Sequence, residues 1–123
     1  FTEQALEAIQ GMEHVTSRVI KGEDLKAKGF GGLYNVGKAA EHPPAMVILM
    51  YNPPSVVKDK KSIVLVGKGV VFDTGGTQIK TKAGMPGMKR DMGGAAPILA
   101  AFLSGARSAT VSDRPFHAIL SLL

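Results

Sequence analysis

An α/β fold, with a central and mostly parallel sheet flanked by helices, is what this 123-residue sequence predicts, on three observations. Apolar or β-branched runs at Ala45–Tyr51, Ser62–Phe72 and Phe116–Leu123 have the length and residue types of buried strands. Between the last two, residues 93–107 place Ala95, Ile98, Leu99, Phe102 and Ala106 at helical spacing. Strand, loop, helix, strand in that order is a crossover unit, and such units join parallel strands.

Taken from the start, Ala5, Ala8, Ile9, Met12, Val15, Val19 and Ile20 recur on one helical face while Glu3, Glu7, Gln10, Glu13 and Arg18 hold the other. That pattern predicts an amphipathic helix over Thr2–Ile20, ended by Gly22, with residues 1–22 as a connecting segment ahead of a unit at 23–123. A further helical turn is expected over Glu23–Lys28. The glycine- and proline-rich "GFGGLYNVGKAAEHPP" reads as a long loop, and long loops in small domains are usually functional or packed against a missing partner. Both strands at 45–51 and 62–72 are expected to be central and buried. Asp73–Asp91 reads as loop. Pro97 fits the first turn of the following helix, where its missing N–H costs nothing, and Arg107 complements the dipole at the other end.

Composition narrows the function classes. The chain has no cysteine, which excludes a disulfide framework and a thiolate metal site. Its longest charge-free run is shorter than the ~18 apolar residues a membrane span needs, so no bilayer crossing is expected. Residues 2–20 carry three glutamates and no apolar core, unlike a signal peptide. An initial Phe1 and an apolar run still in progress at Leu123 lead us to expect a processed or partial chain. The net charge of +5 comes from scattered lysines and arginines, apart from Lys58, Lys60 and Lys61 around Asp59, and none of the seven aromatic residues is interleaved with them. A solvated loop accounts for that cluster better than a nucleic-acid groove, so no nucleic-acid partner is expected.

Candidate chemistry gathers around one strand end. Lys68 lies inside the apolar "SIVLVGKGVVF", where an unpaired ammonium is costly to bury; the bland alternative is a lysine reaching back to water from a strand end. Asp73 opens "DTGG", Lys80 follows seven residues later, and Asp91 eleven after that. Individually, Asp73 suits an Asx-turn and Asp91 a helix N-cap. Together, two carboxylates and two lysines on loops at the carboxyl ends of parallel strands form a candidate metal or anion site. Lys68 and Asp73, five apart, converge only if Gly69 permits a bend, because odd spacings fall on opposite faces of a regular strand. The glycine spacing around Lys68 does not match a P-loop.

"VGKGVVFDTGG", the "IK" ending at Lys80 and "MPGMKRDMGGAA" resemble the signature blocks of the leucyl (cytosol) aminopeptidase family, in the same order and with the same intervals. The wording "MPGMKRD" is closer to its probable-aminopeptidase-like and nematode branch than to the mammalian lens type. The resemblance implies a two-metal hydrolase that releases N-terminal, leucine-like residues from peptides. It implies that Lys68, Asp73 and Asp91 are metal ligands, with Asp73 bridging the ions. It assigns Lys80 to polarising the scissile carbonyl and Met88 to the wall of the pocket for the substrate's first side chain. It further implies two zinc, manganese or magnesium ions, a cytoplasmic location and a homohexamer. The residue types suit those roles. A lysine ligates only as its neutral amine, so the ion must displace a proton. Two bridged ions ~3.5–4 Å apart activate water and stabilise an oxyanion.

Two departures qualify the resemblance. The family's later block Asn-Thr-Asp-Ala-Glu-Gly-Arg, which supplies further metal ligands and an arginine for a bicarbonate base, does not occur in this sequence. The chain alone is therefore expected to be inactive, and a pseudoenzyme or a structural, partner-binding subunit is the alternative. Gln78 also stands where many relatives carry a small residue.

Overall fold

The computed structural model describes residues 1–123 and contains four strands and four α-helices. In chain order they are α1 (Thr2–Ala8), β1 (Val15–Lys21), α2 (Glu23–Ala27), α3 (Gly31–Gly37), β2 (Ala45–Tyr51), β3 (Ile63–Gly69), a 3₁₀ segment (Met88–Gly94), α4 (Ala95–Arg107) and β4 (Phe116–Leu122). The strands form one sheet in the order β1-β2-β4-β3.

The expected α/β class, with helices flanking a sheet, is what the chain adopts, and the crossover from β3 through α4 to β4 runs as predicted. The sheet is nevertheless mixed. β3 and β4 are parallel, whereas β1 and β4 both run antiparallel to β2, so the parallel character is confined to the crossover unit.

The long N-terminal helix is corrected. It stops at Ala8, Gly11 turns the chain at φ +72° and His14 follows at +60°, and residues 15–21 then pair with β2 along their whole length. Val15 and Val19 are four apart, a spacing that serves a helix turn and a strand face equally, and seven residues of ladder decide for the strand. The glycine-rich loop is corrected as well, since Gly31–Gly37 forms α3. Its last residue packs where no side chain fits: a Cβ on Gly37 would lie 2.5 Å from Leu123 Cδ2 and 2.6 Å from Pro44 Cβ.

β2 and β4 are central and each buries alternate residues, as half-covered strands do. Val47, Leu49, Tyr51, Phe116, Ala118, Leu120 and Leu122 share one face and meet Ala5 of α1 and Ala95, Phe102 and Ala106 of α4. Phe102 is wholly buried, its ring 5.4 Å from that of Phe116. Arg107 donates to the Ala8 carbonyl at 3.0 Å and so ties the end of α4 to that of α1. On the other face Met46, Ile48, Met50, His117 and Ile119 are only half-buried. β3, expected to be central, is an edge strand here, with Val66 64% exposed.

Candidate metal centre

The site lies at the carboxyl end of β3. Its position follows from the crossover, which returns the chain from β3 to β4 through the loop, the 3₁₀ segment and α4. Lys68 is the penultimate residue of β3 and pairs with Ser121. Contact with β4 continues briefly past the strand, with Leu123 donating to the Gly69 carbonyl and Val71 to the Leu123 carbonyl, each at 3.1 Å. The chain leaves the sheet at Phe72, so Asp73 stands on a loop, and strand alternation no longer dictates where it faces.

The structure brings two of the candidate residues together. Lys68 Nζ donates to Asp91 Oδ2 at 3.0 Å, both side chains being more than half exposed. Asp91 belongs to the 3₁₀ segment and caps no helix; Gly94 occupies the cap of α4 and makes no side-chain bond. Asp73 forms the Asx-turn expected of an isolated Asp-Thr-Gly, its Oδ1 accepting the Gly75 amide at 2.9 Å, and it makes no ion pair with Lys68. Its second carboxylate oxygen is left for other partners.

Lys80 is drawn back toward Asp73 by its backbone, whose amide donates to the Thr74 carbonyl at 2.8 Å. Gly75, at φ +98°, makes that closure possible: a Cβ there would overlap the Gln78 carbonyl oxygen and lie 3.2 Å from the Lys80 amide nitrogen. Met88 is half-buried at the first position of the 3₁₀ segment, directly after Gly87 turns the chain at φ +84°. Asp73, Phe72 and Thr74 also line an open cleft of about 830 Å³ whose opposite wall is Asn35, Val36 and His42. The sequence marked that wall only as part of the long glycine- and proline-rich stretch, and no spacing signal showed that Asn35, Val36 and His42 would meet the Asp73 loop, some thirty positions on.

An amine and carboxylates suit a hard or borderline divalent ion. The chain contains no cluster of three His, Cys, Asp or Glu side chains able to hold an ion by themselves. Lys68 and Asp91, with the second oxygen of Asp73 nearby in sequence, would hold an ion only together with donors from outside these residues.

A helix-flanked mixed sheet with a lysine–carboxylate pair at the carboxyl end of a parallel strand defines an α/β domain, in a fold class whose ligands commonly bind at strand ends. Residues 1–120 match the model of the cytosol aminopeptidase family, catalytic domain, and the chain belongs to that family. It is 49% identical over 108 residues to the mouse probable aminopeptidase NPEPL1, spanning 88% of this chain and 20% of that protein. It is 61% identical over 84 residues to leucine aminopeptidase 1 of Caenorhabditis elegans, spanning 68% of this chain and 16% of that one. The solved structure of the nematode enzyme superposes over 98% of this chain and 24% of its own, with a TM-score of 0.86 and 45% identity. The bottromycin maturation enzyme BotP, in complex with Mn, matches 99% of this chain and 25% of its own at a TM-score of 0.81 and 34% identity. The chain thus spans about a fifth of the length of the curated relatives it matches. No helix in it is long and apolar enough to cross a membrane.

Proposed function

We propose that the protein carrying this chain is a two-metal aminopeptidase that removes leucine-like residues from peptide N-termini, and that these 123 residues supply part of its metal centre and its catalytic lysine. The observation that supports this most directly is the 3.0 Å approach of Lys68 to Asp91, twenty-three residues apart, in a chain of this family. When bound, two divalent ions supply Lewis-acid polarisation of the scissile carbonyl and activation of water. Lys68 would hold an ion through its neutral amine, and Asp91 and the second oxygen of Asp73 would hold it through carboxylate oxygens. Lys80 would face the oxyanion as it develops, and Met88 would bound the pocket for the first side chain. Manganese, zinc or magnesium serves as the ion; manganese has the support of the BotP relative, whose structure holds Mn. The chain, with β1 built into the same sheet, acts as part of the catalytic domain. The remaining ligands, a bicarbonate-holding arginine, assembly as a homohexamer and a cytoplasmic location complete the proposal.

The test is hydrolysis of leucine amide by the full-length protein with manganese added to the metal-free form. Turnover is expected, and Lys80→Ala should lower kcat by ~10²–10³ with metal content intact, since removal of one oxyanion-facing group typically costs that much. Lys68→Ala should instead lose metal. The 123-residue chain by itself should not turn over. Absence of activity and of metal binding in the full-length protein would favour the pseudoenzyme alternative.

A further inference from the structure

We propose that Gly94, meshed with Gly67, is a positioning residue that sets the reach between Lys68 and Asp91 and thereby the affinity of this site for a divalent cation; the inference rests on the metal-centre reading above. Gly94 has φ −81° and ψ −40°, a helical conformation that every L-residue adopts and that favours alanine over glycine. Conformation therefore gives no reason for glycine here, and space does. A Cβ at Gly94 would lie 2.9 Å from the Lys68 carbonyl oxygen and 3.1 Å from the Lys68 amide nitrogen. Both are backbone atoms that cannot rotate aside.

The approach is tight from the other side too. A Cβ at Gly67 would lie 2.7 Å from Ala95 Cα and 2.9 Å from the Gly94 carbonyl oxygen. Two glycines thus let the start of α4 press directly on the backbone of the lysine. Asp91 lies three residues before Gly94 in the 3₁₀ segment, and at three residues per turn the two positions eclipse each other. Whatever distance separates Gly94 from β3 is consequently passed on to the Asp91 side chain. Gly93, in the same segment, faces open space: a Cβ added there would meet no atom within 4 Å, and the residue plays no such part.

Restoring ordinary van der Waals contact around an added methyl requires an opening of about 0.5 Å. That equals the ~0.5 Å tolerance within which a metal site must hold its ligands, and loss of a supporting partner typically weakens metal affinity ~10–100-fold.

The experiment uses the full-length protein, stripped of metal and titrated with Mn²⁺ alone, with free Mn²⁺ read by electron paramagnetic resonance and Co²⁺ absorption recorded in parallel. Gly94→Ala should bind Mn²⁺ at least ~10-fold more weakly and shift the Co²⁺ bands. Gly93→Ala should match the unsubstituted protein in both. Gly69→Ala is a milder probe should Gly94→Ala fail to fold. Its added Cβ meets Ala95 Cβ at 3.0 Å, the end of the Leu122 side chain at 2.5 Å and the Ser121 carbonyl oxygen at 3.2 Å, so it presses on α4 through a side chain and not on the Lys68 backbone, and a smaller weakening in the same direction is expected. Unchanged affinity in folded Gly94→Ala, or in Gly69→Ala where it alone folds, overturns the proposal, as does an equal loss in Gly93→Ala. Asp91→Ala separates the two levels: retained Mn²⁺ affinity in that variant defeats the metal reading itself. Loss there with retention in Gly94→Ala defeats only the spacing role.

Discussion

Replacing Gly75 by alanine should damage the chemistry far more than the fold. The residue holds φ +98°, outside the range L-residues readily adopt, and such strain costs on the order of 1–3 kcal/mol. The clash adds to it, because the new Cβ would overlap the Gln78 carbonyl and must push that stretch of loop back by about 1 Å to reach ordinary contact. The loop is exposed and shares no residue with the core, so the loss of global stability should stay within that strain energy. Lys80, whose amide bonds Thr74 across the same turn, moves with the loop. A displacement of ~1 Å of a catalytic group can cost ~10²-fold in rate. The assay is steady-state hydrolysis of leucine amide by the full-length protein, with thermal unfolding measured alongside. Gly76→Ala is the paired control, having φ +67° but nothing within 4 Å of its Cβ, so it carries the conformational strain without the collision. The expected result is a kcat about a hundredfold lower in Gly75→Ala, with a much smaller change in Gly76→Ala. A folded Gly75→Ala protein with near-normal kcat would refute the link between this turn and Lys80.

Phe102→Ala should cost ~3–5 kcal/mol in urea unfolding, because it empties a wholly buried site stacked on Phe116, whereas Phe102→Leu should cost clearly less. His117 is held below the ordinary histidine range by burial, with its Nδ1 unpartnered, so the folded state binds its proton less readily than the unfolded chain. Its contribution is complete above the unfolded-state value and is lost as pH falls toward the lower folded-state one. The fall in Tm between about pH 7.5 and 5 should therefore be smaller in a His117→Leu variant. Met88→Ala should leave manganese content unchanged and alter the ranking of leucine, methionine and alanine amides by ~10–200-fold, as a pocket methylene is worth ~1–3 kcal/mol.

What the sequence disclosed follows from how local each signal is. The crossover unit was legible because β4 and α4 carry their own periodicities, and Lys68, Asp73, Lys80 and Asp91 stood out as candidates because their intervals on one chain segment resemble the family's signature blocks. β1 was not, since Val15 and Val19 fit both periods and only pairing with β2, some thirty residues downstream, distinguishes them. α3 was hidden by its glycines, whose low helix propensity is outweighed where Gly37 seats against Pro44 and Leu123. The contact between Lys68 and Asp91 depends on how closely α4 approaches β3, a property of two backbones that no residue spacing reports. Asp73 illustrates the reverse: its immediate neighbours settle its turn, and the local reading was the accurate one for that hydrogen bond.

The edge position of β3 bears on how this polypeptide behaves in a crowded solution. Ile63-Val64-Leu65-Val66 is an uncharged, proline-free, largely β-branched run on a strand paired on one side only, and such an edge is a template for adding strands from other molecules. Lys61 stands just before the run and Lys68 just after it, the placement of charges that keeps aggregation-prone segments apart. In the metal-free chain Lys68 thus also flanks this edge, with a charge that its pairing with Asp91 partly offsets. Neutralising it removes one of two repulsive flanks, so turbidity and light scattering of a Lys68 variant must be followed together with its metal content before either change is ascribed to ligation.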